Sequence, residues 1–216
     1  MTLSPIPDYH RINGIVNFMR EATAVINPEE ALVKIGIDDI EKFSSSQLTH
    51  LFVREGVDNP NIKQLFKVLN PISTIDIRFL NADEETFKRF IFTVGGLYYA
   101  KSVRRLIKKT DIMDIKVFLS DDEYRFIFNF ATNKACLADY PLIESFEAYF
   151  YAVGHHIYTV FMTRFDPLII HYVSHKLDLP EPEAESEKSI KHLRISNEYA
   201  LSLGMIAQHF IIKQME

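Results

Sequence analysis

Apolar residues recur at intervals of three and four along most of this chain, and strict alternation is scarce. Across 83–109, Phe87, Phe90, Ile91, Val94, Leu97 and Tyr98 fall on one helical face, and the spacing continues to Ile107 as in one continuous helix. Tyr124, Ile127 and Phe128 do the same in 121–134. In 142–163 the pattern broadens to Phe146, Tyr149, Phe150, Val153, Ile157, Val160 and Phe161, which predicts a helix buried on several sides. A last helix is predicted over 188–215, with Leu193, Tyr199, Leu203, Ile206 and Phe210. Helix starts are marked by a capping residue before proline at Asn27-Pro28, Asn59-Pro60 and Asp166-Pro167. The spacings Asn81 to Glu84 and Ser120 to Glu123 fit capping boxes. Gly56 stands where a helix from about Ser46 should stop. The best strand candidate is Ile72 to Phe79, which reads equally as an extended connector. The pattern predicts an all-α fold of roughly eight packed helices, in a single domain or two small helical lobes.

One stretch interrupts the pattern. Pro180-Glu-Pro-Glu-Ala-Glu-Ser-Glu-Lys188 is acidic and nearly devoid of apolar residues, so it cannot bury itself. It divides the chain into a helical domain (1–180), an acidic linker (181–188) and a C-terminal helix (189–216). With 216 residues the chain is long enough for a real core, and 17 Phe against no Trp makes that core Phe-rich.

A net charge of -5 argues against a non-specific nucleic-acid binder, which needs a basic excess to displace counterions from phosphates. The lone cysteine, Cys136, forms no internal disulfide, which favours a reducing compartment. The first residues lack a signal-peptide pattern. The apolar run AYFYAVGHHIYTVFMT is shorter than the ~20 residues of a spanning helix and holds two histidines. A soluble cytoplasmic protein is expected.

Gly95 to Ser102, GGLYYAKS, is one residue from a phosphate-binding loop of the form G-x-x-x-x-G-K-[ST]. Ala100 replaces the second glycine, whose freedom such a loop needs, and Tyr98 and Tyr99 are bulky within it. The buried parallel sheet that carries such loops has no strands to build it here. The stretch therefore reads as mid-helix, with Gly95 and Gly96 permitting close approach of another helix. VFLSDDE, residues 117–123, likewise reads as a segment end followed by a capping box rather than a strand ending in metal-binding acids.

The same helix carries Lys101, Arg104, Arg105 and Lys108 at i, i+3, i+4 and i+7, hence on one face. They form either a solvated face pairing with Asp111, Asp114 and Asp121, or an electrostatic docking face for an acidic partner or anionic head groups. His171 and His175 share a helix face, and with His155 and His156 on the preceding helix they are candidate metal ligands. No H-E-x-x-H arrangement is present, and histidines near helix ends commonly serve as rim or cap. Cys136, between Ala135 and Leu137, reads as a small core residue rather than a nucleophile. Glu144 and Glu147 share a face, which alone does not indicate acid–base catalysis.

Three stretches carry a family resemblance: NFMREATAVINPEEALVKI, GGLYYAKSVRRLIKKTDIMDIKVFLSDDEYRFI and AVGHHIYTVFMTRFDPLIIHYVSHKLDLP. In this order they resemble the accessory subunit of the bacterial type III secretion sorting platform, the SctK/YscK/PscK type. The matching features are Asn27-Pro28 through Leu32, Gly96-Leu97 in reversed order, Val103-Arg104-Arg105, Ile112 to Phe126, and Leu179-Pro180. The likeness spans roughly two-thirds of the chain, with no counterpart for Asp58 to Ile77. It implies a non-enzymatic adaptor at the cytosolic face of the inner membrane. Its partners would be the pod (C-ring-like) subunit and the inner-membrane ring protein of the injectisome, with no cofactor and no nucleic acid, and with membrane association only through those partners. Lys101, Arg104, Arg105 and Lys108 are then the candidate docking residues. The alternatives are a histidine-based metal protein or enzyme, and a helical regulatory protein binding an anionic partner.

Overall fold

The computed structural model describes residues 9–26, 60–106, 108–130, 146–182 and 195–215, and every regular element among them is a helix. These are α1 (Tyr9–Ile26), α2 (Pro60–Leu69), α3 (Thr74–Leu80), α4 (Glu84–Tyr98), α5 (Ala100–Arg104), α6 (Lys109–Ile115), α7 (Asp121–Phe130), α8 (Phe146–Met162), α9 (Pro167–Lys176) and α10 (Asn197–Gln214). The all-α expectation holds. Among the described residues ten helices stand against the roughly eight expected for the whole chain, because periodicity does not resolve pieces as short as α3, α5 and α6. The predicted start at Asn27-Pro28 and the helix from Ser46 to Gly56 lie outside the described residues.

Cap chemistry explains where half of the described helices begin. Pro60 and Pro167 both open helices as expected, and Asp166 Oδ1 accepts from the Leu168 N–H at 2.9 Å. Two readings are corrected. Ile72 to Phe79 is no strand, because the Ser73 hydroxyl caps the Asp76 N–H at 3.2 Å and starts α3. The α4 cap is Asp83, accepting from the Thr86 N–H at 2.8 Å, and not Asn81. Asn81 ends α3 instead, its amide donating to the carbonyls of Gly14 and Ile77 at 2.9 and 2.7 Å.

The chain divides into two compact units, 1–82 with 165–177, and 83–164 with 178–216. In the first, α1 packs on α2 and α3, and α2 on α9. Phe18, Met19, Leu65, Leu69, Ile77, Phe79 and Ile169 are buried there. Arg11 closes the α2–α3 turn by donating to the carbonyls of Ile72, at 2.9 Å, and Asn70. Lys176 pairs with Glu21 at 2.7 Å and donates to the Asn81 carbonyl at 3.1 Å.

In the second unit α4 packs against α8 and α10, and α8 and α10 against each other. The sequence division at 181–188 sets α10 apart, yet its Leu203, Ala207 and Ile211 are as buried as Phe87, Phe90, Val94, Phe150, Ile157 and Phe161. Burial on several sides of α8 is as predicted. Residues 183–194, which hold most of the linker and the start of the predicted last helix, lie outside the described residues.

Tyr158 of α8 stands edge-on to Phe87 at 6.0 Å and near Phe90 at 6.3 Å. Burial, with a smaller effect of Tyr151, pushes its hydroxyl up to about 12. The fold thus holds the proton more tightly than the unfolded chain does. Stability from this group is complete below the ordinary phenol value and is lost as pH rises towards 12. Chemical denaturation should show about 2 kcal/mol of alkaline loss from this residue, and Tyr158→Phe should remove that share. An unchanged alkaline loss in the variant would contradict the assignment.

Candidate functional site

The basic stretch is built differently from the single helix face expected. α4 ends at Tyr98, and the Tyr99 ring stacks on Phe150 with centroids 5.6 Å apart. The ladder resumes in α5, where the Val103 N–H donates to the Tyr99 carbonyl at 2.9 Å. It then closes, as Arg105 and Leu106 donate three residues back, to Ser102 and Val103. Lys101, Arg104 and Arg105 therefore occupy one last turn, while Lys108 lies off it in an extended conformation and precedes α6. The expected i+7 alignment is lost because the helix stops at Arg104, four residues before Lys108. Ile107 lies outside the described residues.

Buried Ala100, Ser102 and Val103 anchor this turn, leaving Lys101 half-buried and Arg104, Arg105 and Lys108 exposed. The Arg104 guanidinium stands 5.7 Å from the centre of the Phe128 ring. Phe128 had the spacing of a core position, yet α7 turns Glu123 and Ile127 inward and leaves Phe128 37% exposed. Met113 and Val117 are 56% and 82% exposed, so this stretch presents apolar as well as cationic groups. Sequence spacing missed that combination. Asp121, expected as a partner for the stripe, instead pairs with Lys116 at 2.6 Å. Lys116 holds the Asp121 carboxyl below its ordinary value.

The histidines fall into separate settings. His171 and His175 on α9 are both exposed, their rings edge-on with centroids 4.4 Å apart. His155 on α8 is half-buried beside Tyr151 and Tyr158, at 6.0 and 6.1 Å, and His156 is exposed. Among the described residues no group of three or more His, Cys, Asp or Glu side chains is placed to hold a metal ion. Cys136 and Glu144 lie outside the described residues. No described helix is long and apolar enough to cross a membrane.

The second unit also contains a cavity of about 380 Å³, lined by Lys88 and Phe92 of α4, Glu147, Ala148 and Tyr151 of α8, and Pro180 and Glu181. Its walls come from three distant stretches, so no local spacing announces it. The Tyr151 hydroxyl donates to the Pro180 carbonyl at 2.7 Å. Burial chiefly, then the charges of Glu181 and Glu84, push that phenol up to about 12. Lys88 Nζ lies 2.5 Å from Glu84 Oε1.

No protein-family model matches this chain, no curated protein matches it, and no solved structure matches it.

Proposed function

We propose that this protein is a non-enzymatic cytosolic adaptor of a bacterial type III secretion system. In this reading it sits at the cytosolic face of the inner membrane and links the inner-membrane ring protein to the pod of the sorting platform. The observation that carries a docking role is the Arg104 guanidinium over the exposed Phe128 ring, in a stretch from Lys101 to Phe128 that also exposes Arg105, Lys108, Met113 and Val117. Arginine, methionine and aromatic residues are the types enriched at protein interfaces, and the cations supply steering towards an acidic partner. The choice of secretion platform comes from the resemblance in residues 17–35, 95–127 and 152–180.

Affinity purification of the tagged protein from its own host tests the reading. Pod and ring subunits should co-purify in fixed proportion, and recovery of the protein alone would overturn it. The triple charge reversal Arg104→Glu, Arg105→Glu, Lys108→Glu should weaken one of these contacts about tenfold or more, with the helical fold intact. Unchanged binding in that variant would remove the role of this surface.

A further inference from the structure

The cavity between Lys88 and Glu181 lies outside the proposed docking surface, and its chemistry is that of a cation receptor. Phe92 and Tyr151 form aromatic walls, their ring centroids 5.4 Å apart. Phe118 backs Phe92 at 5.1 Å, and the hydrogen bond from Tyr151 to the Pro180 carbonyl holds the second ring. Among the described residues Lys88 is the only cation in the lining, and its ammonium is engaged by Glu84, with Glu85 and Asp178 adding negative charge around it. The carboxylates of Glu147 and Glu181 then set the sign of the field. The upward push of Glu181 and Glu84 on the Tyr151 hydroxyl reports the same sign at the cavity wall.

An anion would meet these carboxylates, and an apolar ligand would strip them of water without return. A hard metal ion needs more oxygen ligands than two carboxylates provide, and gains less from ring faces than an organic cation does. The volume falls within the ordinary range for small-molecule sites. We propose that this cavity binds a primary alkylammonium ion, seated on the Phe92 and Tyr151 rings and held by Glu147 and Glu181. The ion is either a free polyamine or a lysine side chain presented by a partner.

The test is calorimetric titration of the full chain with putrescine and, separately, with Nα-acetyl-lysine N-methylamide at low salt. At least one should bind saturably with Kd below about 1 mM, and more weakly as salt is raised. Glu147→Gln with Glu181→Gln should weaken it about tenfold, and Phe92→Leu about threefold. Glu147 and Glu181 are exposed, so the double variant keeps the fold, which circular dichroism checks. Preference for putrescine assigns a free polyamine, and preference for the lysine amide assigns a partner's side chain. Absence of saturation by about 10 mM with both probes, or binding unchanged in the double variant, overturns the proposal.

Discussion

Gly95→Ala and Gly154→Ala should each destabilise the second unit by about 3 kcal/mol or more, although alanine is the better helix former by about 1 kcal/mol. The two glycines lie in the contact between α4 and α8. A Cβ on Gly95 would strike the Phe150 carbonyl, its carbon 2.8 Å away, and a Cβ on Gly154 would strike the Ile91 carbonyl with the same 2.8 Å to carbon. Both obstacles are backbone, so no rotamer change relieves the clash and the helices must separate. Separation would loosen the stacking of Tyr99 on Phe150 and the packing of Phe90 against Phe161, whose centroids are 5.6 and 5.3 Å apart. Once one substitution has driven the helices apart, the second should cost less, so the double variant should lose less than the sum of the two. Urea denaturation of the three variants measures this. A Gly95→Ala protein within about 0.5 kcal/mol of the parent, or more stable than it, would show that the helices do not meet at this distance.

The same two glycines mark the boundary between what was legible in the sequence and what was not. Their presence amid continuous apolar spacing indicated a close helix approach, since a glycine in mid-helix otherwise only weakens it. Which helix approaches is a tertiary fact, and nothing in 95–102 names Phe150 or Ile91. Local signals succeeded where the partner lies within four residues, as at Ser120 and Glu123, Asp166 and Leu168, and Pro60. At Asn81 they failed because a distant group intervened, and at 72–79 because an alternating pattern outweighed a local cap. Asn81 and Asp83 both have cap chemistry, and Asn81 is withdrawn from that role by Gly14, 67 residues away. Ile72 to Phe79 alternates as a strand does, yet Ser73 and Asp76 nucleate a helix whose Ile77, Phe79 and Leu80 are buried. The basic stripe failed differently: its spacing assumed a helix through Lys108, and the last turn closes at Arg105. For the proposed docking surface, the cations were visible in the sequence, whereas the exposure of Phe128, Met113 and Val117 depends on which face of each helix turns inward. For the cavity, lining residues separated by some ninety positions come together only through the packing of α4 on α8.

Glu123 combines a legible role with one that was hidden, and its loss should be the second large effect. The capping box is as the spacing predicts: the Glu123 carboxylate accepts from the Ser120 N–H at 2.7 Å, and the Glu123 N–H donates to the Ser120 hydroxyl at 3.3 Å. The hidden role is a pair with Arg89 of α4, Nε to Oε1 at 2.7 Å, which ties α7 to the central helix while the residue as a whole is 1% exposed. Glu123→Ala removes the cap, worth about 1 kcal/mol, and leaves the Arg89 guanidinium without this partner in a half-buried position. Arg89 is about one-third exposed, so water offsets part of that second loss, and the total should be about 2–3 kcal/mol. Ser120→Ala removes only the return bond of the cap and should cost about 1 kcal/mol or less. A double-mutant cycle of Glu123→Ala with Arg89→Met isolates the pair. The double variant should be more stable than the sum of the single losses predicts, because each single change leaves a charged group facing an absent partner. Strict additivity in that cycle would mean that Glu123 acts through its cap alone and that the Arg89 contact contributes nothing to joining α4 and α7.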